Sequence, residues 1–141
     1  MDTTDPTPIS TLLDDMTCEL IGFCLDVIAD GGSLAPTIAF ARSDEDITFL
    51  SFDEDGPDAA LEAARGAIRE QADGIIAYAI AYDGFVSTGK DGVPQDALLV
   101  EFGERGMSTA FSAYVAYRRG DTPDELVVSE PLAAGEEPLL L

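Results

Sequence analysis

Two segments of the sequence nearly match ligand-binding motifs, and each departs from its motif at a residue that the chemistry needs. Residues 84–91 follow a predicted strand and approach the phosphate-binding pattern G-x-x-x-x-G-K-[ST]. The last position must offer a hydroxyl to Mg²⁺, but here it is Asp91, whose negative charge would lie beside the phosphates. The next residues, Gly92-Val93-Pro94, lead into another strand, although the motif requires a helix whose N–H groups hold the anion. We therefore predict a polar hairpin loop and no nucleotide site.

The second segment, residues 51–62, approaches the calcium-loop pattern D-x-[DN]-x-[DN]-G-x₅-E. Its first position is Ser51 instead of Asp, and a strand is predicted before it, where an EF-hand has a helix. Asp53 and Asp55 are better explained as a strand end and a helix cap, because acids are favoured at the positive end of a helix. We predict weak, nonspecific cation binding at this acidic corner and no specific calcium site.

The residue types that nucleophilic catalysis requires are missing. The chain has no His to act as a base and no G-x-S-x-G turn. Cys18 and Cys24 are six residues apart in a helical pattern, so they point to different faces of the helix. We interpret both as small apolar residues and predict no disulfide between them. Carboxylate pairs could still act as acid and base among 28 Asp and Glu residues, so an enzyme that uses carboxylate, Tyr and Arg stays an alternative. We predict no catalytic residue, metal or cofactor.

Arg118 and Arg119 are adjacent cations at the end of a predicted strand, in a chain that has seven Lys and Arg residues. They are the candidate contacts for an anionic ligand. The alternative, which we favour, is that they pair with some of the acids.

The charge of the chain indicates its solvent. The net charge of −21 arises from 28 Asp and Glu against seven Lys and Arg, and 17 of the acids are Asp. Hydrated carboxylates and few Lys stems suit a cytosol of molar salt, where a Debye length of about 3 Å screens the self-repulsion. The alternatives are an ordinary acidic protein and an acidic mimic of nucleic acid, but the acids are spread along the whole chain. We predict a salt-adapted protein that does not bind nucleic acid directly, since it has no basic patch.

Length and composition predict one globular domain in the cytoplasm. Apolar residues make up 46% of the 141 residues, which is enough to form a core. The longest apolar run is far shorter than the roughly 20 residues that span a bilayer, and the first five residues include two Asp where a signal peptide has basic residues. We predict a flexible arm at residues 1–8, a single α+β domain at 9–119, and a C-terminal extension at 120–141 with one weak strand and an acidic tail.

Two helices are predicted from apolar residues spaced three or four apart. Ser10 or Thr11 can cap the first helix, and Pro57 opens the second. The predicted buried stripes are Leu13, Met16, Leu20, Cys24 and Ile28 in the first helix and Leu61, Ala64, Ile68 and Ala72 in the second.

Five strands are predicted, at residues 37–42, 47–52, 75–82, 96–102 and 108–118, with a further weak strand at 126–128. The order α-β-β-α-β-β-β indicates an α+β fold with a mostly antiparallel five-stranded sheet and two helices on one face. This order resembles that of roadblock/longin and profilin-like folds, in element order alone. The resemblance implies a five-stranded sheet with both helices packed on one side, in folds that mostly serve as binding and dimerisation modules.

The third predicted strand is apolar on both faces, with alanines on one face and Tyr78 and Tyr82 on the other. Helices on one side would leave the tyrosine face uncovered, so Tyr78, Tyr82 and Tyr114 are the candidate interface for a homodimer or a protein partner. The alternatives are that residues 121–141 fold over this face, or that the tyrosines lie in an ordinary core. The predicted function is a noncatalytic protein-interaction or dimerisation module. A small ligand-binding domain or enzyme, and an acidic nucleic-acid mimic, are the alternatives.

Overall fold

The computed structural model describes residues 10–31, 34–52, 56–87, 94–121 and 125–141. Its elements are α1 (Thr11–Ala29), β1 (Thr37–Ser43), β2 (Asp46–Ser51), α2 (Pro57–Glu70), a 3₁₀ turn (Ala72–Gly74), β3 (Ala77–Ser87), β4 (Pro94–Glu104), β5 (Ala110–Arg119), β6 (Leu126–Val128) and β7 (Leu132–Glu137). The predicted arm at 1–8, Asp53 and Asp55 of the calcium-loop pattern, and residues 88–91 of the phosphate-loop pattern lie outside the described residues.

The first helix forms where the spacing of apolar residues predicts it. The hydroxyl of Ser10 accepts a hydrogen bond from the backbone N–H of Leu13 at 3.0 Å and so caps the first turn. All five residues of the predicted stripe are buried, and Thr17 beside them is buried as well. This stripe fixes which side of α1 faces the sheet.

The sheet has seven strands rather than five, in the order β2-β1-β3-β4-β5-β6, with β7 also paired to β5. All strand pairs are antiparallel. The weak strand at 126–128 is present, but β7 was not expected, because its sequence Leu-Ala-Ala-Gly-Glu-Glu lacks β-branched and aromatic residues. β7 forms because the edge of β5 at residues 110–114 offers it backbone partners. β3 also continues to Ser87, so half of the expected loop at 84–91 is strand.

The two helices pack on opposite faces of the sheet, and the expectation of two helices on one face is wrong. α1 packs on the face that carries Ala77, Ala79 and Ala81, where the small side chains allow close approach. α2 packs on the face that carries Tyr78 and Ile80. Because β3 is apolar on both sides, one covered face would have left the other exposed to water, and the second helix resolves that problem. We call these the α1 face and the α2 face.

Candidate functional site

On the α2 face, three side chains from three elements converge. Glu101 of β4 is 6% exposed, although it is a carboxylate. Arg65 of α2 donates from Nε to Oε1 of Glu101 at 3.3 Å, and its Nη2 contacts Oε2 of the same residue. The hydroxyl of Tyr82 in β3 donates to Oε2 of Glu101 at 3.0 Å. We call Arg65, Glu101 and Tyr82 the carboxylate cluster.

The cluster holds its charges in pairs, as a buried carboxylate requires. The carboxylate of Glu101, together with Glu62 at 3.9 Å, raises the pKa of Arg65, although partial burial opposes the shift. Burial, followed by the negative charge of Glu101 and its hydrogen bond, raises the pKa of Tyr82 to about 12. Arg65 is therefore charged and Tyr82 is a neutral phenol at physiological pH. Because Arg65 belongs to α2 whereas Glu101 and Tyr82 belong to strands, the three hydrogen bonds to Glu101 connect α2 to the sheet.

A cavity of about 150 Å³ adjoins the cluster and is lined by Arg65, Arg69, Glu101, Glu137, Pro138 and Leu140. One wall belongs to the segment after β7, which crosses the α2 face. The three terminal leucines pack partly buried against the core of this face. The C-terminal residues thus cover part of the tyrosine face, which was one of the alternatives drawn from the sequence.

Tyr78 lies under these leucines and is 1% exposed. Its hydroxyl accepts a hydrogen bond from the backbone N–H of Leu140 at 3.3 Å. Burial is the main cause that raises its pKa. Tyr78 is therefore inside the chain in this structure and does not form part of its surface.

Tyr82 and Tyr114, the other two interface candidates, belong to a row that crosses four strands. Tyr82 is directly opposite Leu99, Leu99 is opposite Tyr114, and Tyr114 is opposite Leu132. Directly opposite residues share a face of a sheet, so all four lie on the α2 face. Leu132 is 45% exposed, and the other three are partly exposed. We call these four residues the cross-strand row.

The described arginine side chains outside the carboxylate cluster differ in their contacts and exposure. Arg105 donates to the backbone carbonyl oxygens of Ala72 and Ile75 and so closes the turn after α2. Arg42 contacts Gln71 and lies over the ring of Phe40, 5.5 Å from its centroid. Arg118 is exposed at the end of β5. Arg119 belongs to β5 as well, but its side chain is outside the part of the chain that the structure describes.

Glu101 and Arg65 were not among the residues selected from the sequence. A signal for Glu101 existed, because it is the one acid within the otherwise apolar run at residues 97–103. An acid in such a position must find a cation or be exposed. The partner could not be selected, because the five other arginines were equally available in sequence.

Among the described residues, no group of three or more His, Cys, Asp or Glu side chains is arranged to hold a metal ion. Within the same residues, no helix is long and apolar enough to cross a membrane. No protein-family model matches the chain, and no curated protein or solved structure matches it either. The comparisons therefore show no fold family for this chain, and the geometry of the α2 face carries the functional argument.

Proposed function

We propose that this protein is a noncatalytic interaction module that self-associates through the cross-strand row on the α2 face. The observation that carries the proposal is the row itself: Tyr82, Leu99, Tyr114 and Leu132 are consecutive cross-strand neighbours, and all are at least partly exposed. Four strands at a spacing of about 4.8 Å make this row about 15 Å long. Tyrosines of this kind are enriched at protein interfaces because they bury a large apolar ring and keep a polar hydroxyl at the rim.

The occupant that we propose is a second copy of the chain, because the four side chains of the row are uncharged whereas the whole chain carries −21. The carboxylate of Glu101 beside Tyr82 is buried and paired with Arg65. Two acidic chains repel least where the surfaces that meet carry few exposed acids. Arg118 at the end of β5 adds an exposed cation on the same face, because every second residue of a strand shares a face and Arg118 follows Tyr114 and Ala116 in this spacing.

Salt supports this association in two ways. Molar salt shortens the Debye length to about 3 Å, so the repulsion between two acidic copies falls. Excluded salts such as sulfate or phosphate also strengthen the burial of apolar surface. The proposal therefore includes adaptation to concentrated salt. It excludes direct nucleic-acid contact, because two polyanions repel one another.

The test is the mass of the wild-type chain in solution, by sedimentation equilibrium or light scattering, over a range of protein concentrations. We expect the mass to rise from one chain to two with concentration, at lower concentrations in about 2 M KCl than in dilute buffer. A mass of one chain at every salt and at millimolar protein would contradict the proposal.

A further inference from the structure

A second candidate surface lies along β2, which forms the edge of the sheet opposite to β6 in the strand order. Within the described residues, β2 pairs with β1 alone and ends the strand order. The backbone N–H of Phe52, just after β2, donates to the carbonyl of Pro36 at 2.8 Å and thus points towards the β1 side. Because these directions alternate along an antiparallel strand, the N–H and C=O groups of Ile47, Phe49 and Ser51 point outward. This edge therefore offers backbone partners to an added strand.

The side chains of β2 make this edge apolar. Phe49 is 39% exposed and Leu50 is 42% exposed, and they lie on opposite faces of the strand. From Ile47 to Ser51 the strand carries no charge. An exposed apolar edge strand is a template for pairing with another chain. Phe49 shares the α1 face, because it is opposite Ala39 of the α1 core.

A groove of about 340 Å³ adjoins this edge on the α1 face, between the first turns of α1 and the turn after β1. Its lining combines apolar residues, among them Leu12, Met16 and Ile47, with the carboxylates of Asp15, Glu19 and Asp44. The three carboxylates are on exposed residues, whereas Met16 is buried. The groove thus has an apolar floor and an acidic rim.

We propose that the β2 edge and this groove bind an extended segment of a partner protein in which Lys or Arg alternates with apolar residues. The segment adds a strand to the sheet, so that its basic side chains fall on the α1 face and its apolar side chains fall beside Leu50. Lys and Arg stems can pack along the floor while their charged ends reach the carboxylates at the rim. A second copy of this chain fits less well, because the turn beside β2 carries Asp44, Glu45 and Asp46 and would meet acids again.

The test uses the full-length chain and a synthetic peptide of about eight residues that alternates Lys and Val, a length typical of a strand. A second peptide with the same residues, ordered as a block of Lys and a block of Val, has equal charge and does not match the alternation of faces. Calorimetry should show saturable one-to-one binding of the alternating peptide and at least tenfold weaker binding of the block peptide. Equal affinity of the two peptides would overturn the proposal.

Two kinds of variant locate the site. Phe49→Pro removes an outward N–H and leaves the hydrogen bonds to β1 intact, so binding should be lost. Asp15→Asn removes one carboxylate of the rim and should weaken binding about two- to fivefold, as expected for an exposed ion pair. Asp26→Asn, an equal charge change at an exposed site on α1 outside the groove, should leave the affinity unchanged.

The proposal fails if Asp26→Asn weakens binding as much as Asp15→Asn does. It also fails if a folded Phe49→Pro chain still binds the alternating peptide. It fails likewise if the Phe49→Pro chain forms a smaller assembly than the wild type does, because the β2 edge then pairs with a second copy of the chain.

Discussion

Leu139 occupies the space next to Gly103 that a side chain at that position would need. A Cβ built on Gly103 would lie 2.7 Å from Cδ1 of Leu139 and 3.0 Å from Cε1 of Tyr78. The missing side chain near the end of β4 leaves room for the side chain of Leu139. Gly103 therefore allows Leu139 and the ring of Tyr78 to pack closely against β4.

The first prediction concerns this contact. Gly103→Ala should lower the free energy of unfolding by about 1–3 kcal/mol, because either Leu139 or Tyr78 must move. Gly22→Ala is the matched control: a Cβ there meets no atom within 4 Å, and the helix gains about 1 kcal/mol from losing a glycine. Urea unfolding of both variants checks the prediction. Equal stability of Gly103→Ala and the wild type would show that the leucines are not packed on this strand.

The second prediction concerns the ion pair of the carboxylate cluster. Arg65→Met should lower the free energy of unfolding by about 2 kcal/mol, because it leaves the carboxylate of Glu101 buried with Tyr82 as its remaining partner. The double variant Arg65→Met with Glu101→Leu should recover most of this loss, since it removes the buried charge as well. Arg69→Met, an exposed position on the same helix, should change the stability by less than about 0.5 kcal/mol. If the double variant is as unstable as the single one, the pair does not act as we describe.

The third prediction is a pH dependence above neutrality. The pKa of Tyr82 is raised from 10.0 to about 12, so the folded chain holds this proton more tightly than the unfolded chain does. The stabilising contribution is complete below pH 10 and is lost as the pH rises towards 12. Tyr82→Phe should reduce this loss of stability at alkaline pH. At neutral pH it should lower the free energy of unfolding by about 1–2 kcal/mol, because the substitution removes the hydrogen bond to Glu101. Unfolding measured from pH 8 to 12 in both chains checks the sign, and an unchanged alkaline slope in Tyr82→Phe would contradict it.

The fourth prediction concerns salt. The thermal midpoint of the wild type should rise between about 0.05 and 3 M KCl, because screening removes the self-repulsion of a chain with −21 charges. NaCl at the same ionic strength should act alike, since the mechanism does not depend on the cation. A midpoint that does not change with salt would refute the salt-adapted interpretation.

The helices could be predicted from the sequence because their signals are local. The spacing of Leu13, Met16, Leu20, Cys24 and Ile28 requires no knowledge of the rest of the chain, and the stripe is confirmed. Pro57 likewise marks the start of α2. The first two strands also lie within one residue of the predicted bounds, because β-forming residues fill them.

The arrangement of these elements depends on contacts that sequence spacing does not carry. β7 has low β-propensity and forms against β5, which is distant in sequence: Ser112 and Gly135, paired at the centre of this ladder, are 23 residues apart. The placement of α2 on the tyrosine face was not predicted: both helices were expected on one face, whereas α2 packs against Tyr78 and Ile80 on the other. The pairing of Arg65 with Glu101 spans 36 residues and needs the fold before it can be recognised.

The fifth prediction tests the central claim, and it compares two substitutions of equal chemistry. Leu132 and Val128 are both 45% exposed, but Leu132 is opposite Tyr114 on the α2 face, whereas Val128 is opposite Tyr117 on the α1 face. Leu132→Glu and Val128→Glu therefore add the same charge at the same exposure on opposite sides of the sheet. The measurement is sedimentation equilibrium of the wild type and both variants in about 2 M KCl, where general repulsion is screened. We predict that Leu132→Glu stays a single chain while Val128→Glu associates like the wild type; equal association of all three, or loss in Val128→Glu alone, would contradict self-association through the cross-strand row.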